Sequence, residues 1–138
     1  MTTIPEAEPH IRAVQAVLEA ALAQLPTPIH AYIGTRPDGD STCVVVHGSP
    51  GDLSGSLGDR FADISISIQL TAVGEGPEQA TAYADAARAA LLTSPLTVVG
   101  RAIWPPWQTG SQPSSRDDSV QPPLWISTAQ YVIKSTPA

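Results

Sequence analysis

The sequence predicts an α+β domain, a mainly antiparallel sheet of about five strands with two helices packed on one face, in the order α-β-β-β-α-β-β. Three observations predict it. From Asp63 to Ala72 polar and apolar residues alternate strictly. Two other segments carry apolar side chains at three- and four-residue spacing. The rest divides into short β-branched runs bounded by Gly, Pro, Asp and Ser, with no internal repeat and no linker between two folded units. Residues 1–138 therefore read as one domain.

The first helix covers residues 7–25. Ile11, Val14, Leu18, Ala21, Leu22 and Leu25 form one apolar stripe, Pro9 suits the first turn, and Pro26 ends the helix. Pro28–Thr35 follows as a short strand with Ile29, Ala31 and Ile33 on one face. Arg36–Asp40, "RPDGD", is turn chemistry. The β-branched run Ser41–Gly48 is expected to return beside the first strand as a hairpin. Ser49–Asp59 is rich in Gly, has no periodicity, and reads as a long loop. The third strand begins near Arg60. Ile64, Ile66, Ile68, Leu70 and Ala72 face the core, while Asp63, Ser65, Ser67, Gln69 and Thr71 face water or a polar partner.

The period changes at Gly74–Pro77. Gly76 can cap a second helix and Pro77 fits its first turn. Ala80, Tyr83, Ala84, Ala87, Ala90 and Leu91 form its stripe, and Asp85 and Arg88 pair on the outer face. Leu96–Gln108 is a fourth strand interrupted by Pro105 and Pro106, as at a strand end or edge. Thr109–Pro123 is polar and breaker-rich, a second long loop. Leu124–Thr136 is the final strand.

Composition narrows the function. Apolar residues make up 42% but aromatics only 5%. A core of alanine and valine buries modest area, so contact with a partner surface would add stability. The formal charge of −6 leaves no basic patch for gripping a nucleic-acid duplex. Asparagine is absent and Lys134 is the only lysine, a bias expected of a GC-rich genome. Cys43 is the single cysteine, so no internal disulfide can form. "MTTIPEAEPH" lacks the basic flank and apolar stretch of a signal peptide, and no apolar run reaches spanning length. A soluble intracellular product is expected.

Residues that could carry chemistry are few. The loop "GSPGDLSGSLGD" lacks the phosphate-loop pattern and precedes a strand, whereas phosphate loops open a helix. His30 and His47 lie on strands expected to pair, and with Cys43 or Asp40 they could sketch a metal site, but the spacing matches no zinc signature. His10 has no visible partner. Ser54 and Ser56 lack a nucleophile elbow, Cys43 in "TCVVV" suits a small buried role, and Asp52, Asp59 and Asp63 could pair as carboxylates. Trp104, Trp107 and Trp125 lack surrounding basic residues, which disfavours base stacking and leaves core packing or a subunit interface. A small ligand-binding domain or enzyme would have to use loop 49–59 with His30 and His47.

The stretch "DISISIQLTAVGEGPEQATAYADAARAAL" resembles the tail terminator (tail completion) proteins of long-tailed bacteriophages. The similarity is specific over Asp63–Leu92. It is carried by Thr71-Ala72-Val73-Gly74, which ends the strand, and by Gln79-Ala80 in the alanine-rich helix. "AQYVIKSTP" (Ala129–Pro137) also resembles the final strand of that group, and the order of elements follows it throughout. The resemblance implies a virion structural protein without catalysis, cofactor or metal, forming a homo-oligomeric and hexameric ring on the head-proximal end of the tail tube. The ring stops tube polymerisation and offers a surface to the head-side connector or stopper; DNA only passes through its lumen, and no membrane is involved. A neighbouring head–tail connector or minor tail protein shares much of this description. In such a ring the two long loops are the expected contact elements. Leu53, Leu57 and Trp107 would be the apolar anchors, and Asp52, Asp59, Arg60 and Arg116 would supply polar complementarity.

Overall fold

A computed structural model describes residues 4–138; Met1–Thr3, the start of the segment weighed above as a signal peptide, lie outside it. The elements are α1 (Glu8–Leu22), β1 (His30–Ile33), β2 (Cys43–Gly48), β3 (Asp52–Ser56), β4 (Asp59–Gly74), α2 (Pro77–Thr93), β5 (Arg101–Ile103), β6 (Trp107–Asp117) and β7 (Leu124–Pro137). Helix α1 has a proline in its first turn and buries Val14, Leu18 and Leu22, with Ile11, Ala21 and Leu25 half-buried beside them. Helix α2 starts at Pro77 after an extended Gly76 and buries Ala80, Ala87, Ala90 and Leu91. No helix of the described residues is long and apolar enough to cross a membrane.

All seven strands belong to one sheet, in the order β1-β2-β4-β7-β5, with β3 also on β4 and β6 also on β7. They fill five positions, because β2 and β3 lie end to end along one side of β4, and β6 and β5 lie end to end along β7. The α+β class with two helices on one face of a mostly antiparallel sheet is thus the observed one. Helix α2 lies over β4 and β7, and α1 lies over β1 and β2 and against α2.

Four local expectations are corrected. β1 and β2 run parallel, not as a hairpin: His30 is beside Cys43 and Ile33 beside Val46. The turn 36–40 does not reverse the chain tightly. Tyr32 donates to the Asp40 carboxylate (2.5 Å) and Arg36 to the Asp40 carbonyl (2.6 Å), so the segment folds back past β1 before β2 begins. Second, 49–59 is not a loop. After an offset around Gly51 (φ 86°), Asp52–Ser56 pairs with β4 from Ser65 to Asp59, and Leu57-Gly58 makes the turn of a protruding hairpin. Third, 109–117 is strand rather than loop, paired along β7 with two register shifts. Fourth, the strand expected from Leu96 begins only at Arg101, while the interruption expected at Pro105 and Pro106 is present and divides it into β5 and the start of β6. Both misread segments are polar on both faces, so alternation could not reveal them.

The main core lies between the helices and the sheet. It holds Ile64, Ile66, Ile68, Leu70 and Ala72 of β4, Val44 and Val46 of β2, and Ala129, Tyr131 and Ile133 of β7. Thr71–Gly74 and Gln79-Ala80 form the joint between β4 and α2. The Gln79 side chain accepts the Glu75 N–H (2.7 Å), Ala80 is fully buried, and a Cβ on Gly74 would sit 2.8 Å from the Ala80 nitrogen. That approach leaves no room for a side chain. Gly74→Ala is therefore expected to lower stability by about 1–3 kcal/mol, measured by urea unfolding. Gly76→Ala, where nothing lies within 4 Å of the added carbon, is the control expected to change little.

Candidate functional site

The sheet face away from the helices is built by pairing polar rows. Residues opposite in register share a face. Val45, Thr71 and Thr128 form one row, His47, Gln69 and Gln130 the next, Ser67, Val132 and Trp107 a third, and Ser65 and Lys134 a fourth. At one end this face is closed by a second small core of Cys43, Val45, Val73 and Leu124, covered by Tyr32, Val120 and Ile126. At the other end it is open. There Trp104 is 50% and Trp107 46% exposed, and the Lys134 ammonium lies 5.0 Å from the Trp104 ring centre. Trp125 is on the helix side, opposite Gly74 and Arg116 and half-buried.

Of the expected contact residues, Asp52, Leu53, Leu57, Asp59 and Arg60 come together on the β3–β4 hairpin. Asp52 is opposite Ser65, Leu53 opposite Ile64, and Asp59 opposite Ser56 at the turn. Leu57 at the tip is wholly exposed, and Leu53 and Phe61 are 41% and 49% exposed. The Arg60 guanidinium stands 5.5 Å from the Phe61 ring centre. Trp107 and Arg116 are on β6, at the opposite side of the sheet, where Arg116 is ion-paired with Asp118 (2.7 Å). The structure therefore divides the set between opposite edges, with Trp107 and Arg116 at the two ends of β6. Trp104, weighed above for core packing or an interface, is exposed beside Trp107, and Phe61, which the sequence did not single out, is exposed beside the hairpin tip.

The groups weighed for chemistry do not converge. His30 is opposite Cys43, so His47 lies four residues, about 13 Å, further along the sheet. Among the described residues no group of three or more His, Cys, Asp or Glu side chains is placed to hold a metal. Cys43 is fully buried, and that burial pushes its thiol up to about 12. An open cleft of about 670 Å³ is lined by Arg36, Asp38, Ser41, Glu75 and 120–124. Its polar groups are partly committed within the chain, Ser41 donating to Glu75 (2.7 Å) and Arg36 to the Asp40 carbonyl (2.6 Å).

His30 and His10 serve structure in opposite ways. His30, on the surface, shares the Glu19 carboxylate (2.6 Å) with the Ala31 N–H (2.7 Å), clasping α1 to β1. The hydrogen bond and charge of Glu19 raise its pKa. His10, expected to have no partner, has two. It donates from Nδ1 to the Glu6 carbonyl (2.7 Å) and accepts at Nε2 from the Ser135 hydroxyl (2.7 Å), which in turn accepts from Arg101 (3.1 Å). Burial lowers its pKa, opposed by the Glu6 bond. A proton-detected titration should therefore separate the two, His10 below and His30 above the ordinary value of about 6.5. The signs of linkage differ accordingly. The His10 contribution is full above that value and is lost as pH falls below it. The His30 contribution is present below it and is lost as pH rises through the raised pKa. Coincident midpoints would contradict this arrangement.

No protein-family model and no curated protein matches the chain. Among solved structures, a chain from the virion of a native gene transfer agent particle has the same fold, with a TM-score of 0.63 and 17% identity over 94% of this chain and 95% of that one. At this identity the likeness is one of fold.

Proposed function

We propose that this chain is a structural protein of a phage-like virion, and within it a tail terminator: a ring on the head-proximal end of the tail tube that stops tube growth and receives the head-side connector. The observation that carries the virion reading is the end-to-end fold similarity to a chain of a gene transfer agent virion. The finer reading draws on the Thr71–Gly74 and Gln79-Ala80 joint that resembles the terminator family. It is also supported by the two exposed patches on opposite edges, Leu53, Leu57 and Phe61 on one and Trp104 and Trp107 on the other. Patches at opposite edges suit a head-to-tail contact that closes into a ring, whereas a two-fold dimer uses one patch twice. No catalysis, cofactor or metal enters this reading, and DNA only passes the ring.

Deleting the gene tests it. Particles without this chain should have tails of uncontrolled length, or tails that fail to join filled heads. Tails of normal length joined to heads would exclude the terminator role. Replacing His30, Cys43 or His47 singly by alanine should leave assembly intact. Loss of function in a variant that remains folded and assembled would favour the ligand-binding or enzymatic reading.

A further inference from the structure

We propose that consecutive copies join edge to edge, the open edge of β3 in one copy hydrogen-bonding antiparallel to the β6 edge, over Trp107–Gln112, in the next. The inference rests on the ring reading and names its interface. β1 pairs with β2 only over Cys43–Val46, so among the described residues no strand lies on the outer side of β3. On the other side of the sheet β6 pairs, among the described residues, with β7 alone.

The two edges are complementary. β3 is antiparallel to β4, β4 to β7, and β7 to β6, so β3 and β6 run in opposite directions. A copy set beside another in the same sheet would thus continue the antiparallel alternation. Strand edges that face water are usually blunted by charge, above all lysine. Here Trp107–Ser115 contains no charged residue and β3 only Asp52. Pro113, which cannot donate, lies in the register shift between Gln112 and Ser115 and ends the usable stretch. The remaining Trp107–Gln112 is about the length of β3, which has 5 residues.

Each edge also carries a large exposed apolar side chain, Leu53 at 41% and Trp107 at 46%. Strand addition supplies main-chain hydrogen bonds while such side chains find cover. Register shifts in both edges add the coiling that lets a sheet curve toward closure. Because the two complementary edges belong to one chain, the occupant is a second copy of it, by a heterologous contact.

Cysteine cross-linking in assembled particles tests this. Cys43 is fully buried, so engineered surface thiols report alone. Leu53→Cys combined with Ser111→Cys in one chain, treated with a short bismaleimide, should give a ladder from dimer to closed ring. Each single variant should give none. Ser54→Cys with Thr109→Cys is the second pair, and circular dichroism of each variant confirms the fold. Rings that form but yield no ladder from either pair overturn the edge contact and leave the ring reading standing. Dimers from Leu53→Cys alone overturn it in favour of two-fold β3–β3 pairing. Particles containing no ring of this chain overturn both.

Discussion

Removing the hairpin tip, Gly55–Ala62, and joining Ser54 to Asp63 through an Asn-Gly turn is expected to abolish tail completion while sparing the fold. The cut follows the register. Ser54 and Asp63 are already opposite each other, and Asn-Gly is the two-residue connection that suits twisted strands. The deleted tip carries the fully exposed Leu57 and the 49% exposed Phe61, and its only buried side chain is the small Ala62. The melting temperature should fall by no more than about 4 °C, the equivalent of about 1 kcal/mol in a domain of this size. A wider cut from Ser49 would be a poorer test. A Cβ at Gly51 would meet Ile64 at 2.9 Å, so that segment covers a core residue. Under the proposed function, virions with the shortened arm should have overlong tails or tails without heads. Normal length and infectivity would show the arm to be a passive connection.

Ile66→Ala is expected to cost about 2–5 kcal/mol, the range for truncating a large core side chain. Ile66 is fully buried at the middle of the longest strand, on the face of β4 that turns toward the helices. Ile66 is opposite Ile133, and Ile64 and Ile68 flank it on the same face of β4. These β-branched side chains are stiff and held by their own backbone positions, so they fill the vacated space poorly and the cavity term should be large. Against a total stability of about 5–15 kcal/mol, the loss brings the isolated chain near its unfolding threshold. Urea denaturation reads it directly. A change below about 1 kcal/mol would mean that the core is more adaptable than its packing implies.

Burial on one face made β4 and both helices legible in the sequence. Ile64–Ala72 alternates because only one face meets the helices, and the helix stripes repeat because only one side of each meets the sheet. β3 and β6 were read as loops because neither has a buried face: Asp52–Ser56 is exposed at every position, and β6 is exposed or half-buried throughout. Their backbones pair with β4 and β7, a cause that leaves no hydrophobic pattern. The parallel course of β1 beside β2 was hidden for another reason. "RPDGD" has the composition of a tight turn, but side-chain bonds from Tyr32 and Arg36 to Asp40 set a different path, and composition does not show them. His10 was illegible because its partner Ser135 is 125 residues away in the chain.

The contact candidates were legible as residue types, since Leu53, Leu57 and Trp107 stand out in polar segments. Their division into two edges was not, because it depends on the order in which strands enter the sheet. Once β3 and β6 are recognised as strands, the same residues describe two complementary borders.

The measurement that bears most directly on this account is electron cryomicroscopy of virions from the genome that encodes the chain, at a resolution that shows helices. The account predicts a closed ring of copies at the head-proximal end of the tail tube, with the arm tipped by Leu57 touching a neighbouring subunit. Particles that lack the chain, or that hold it elsewhere as isolated copies, would contradict it.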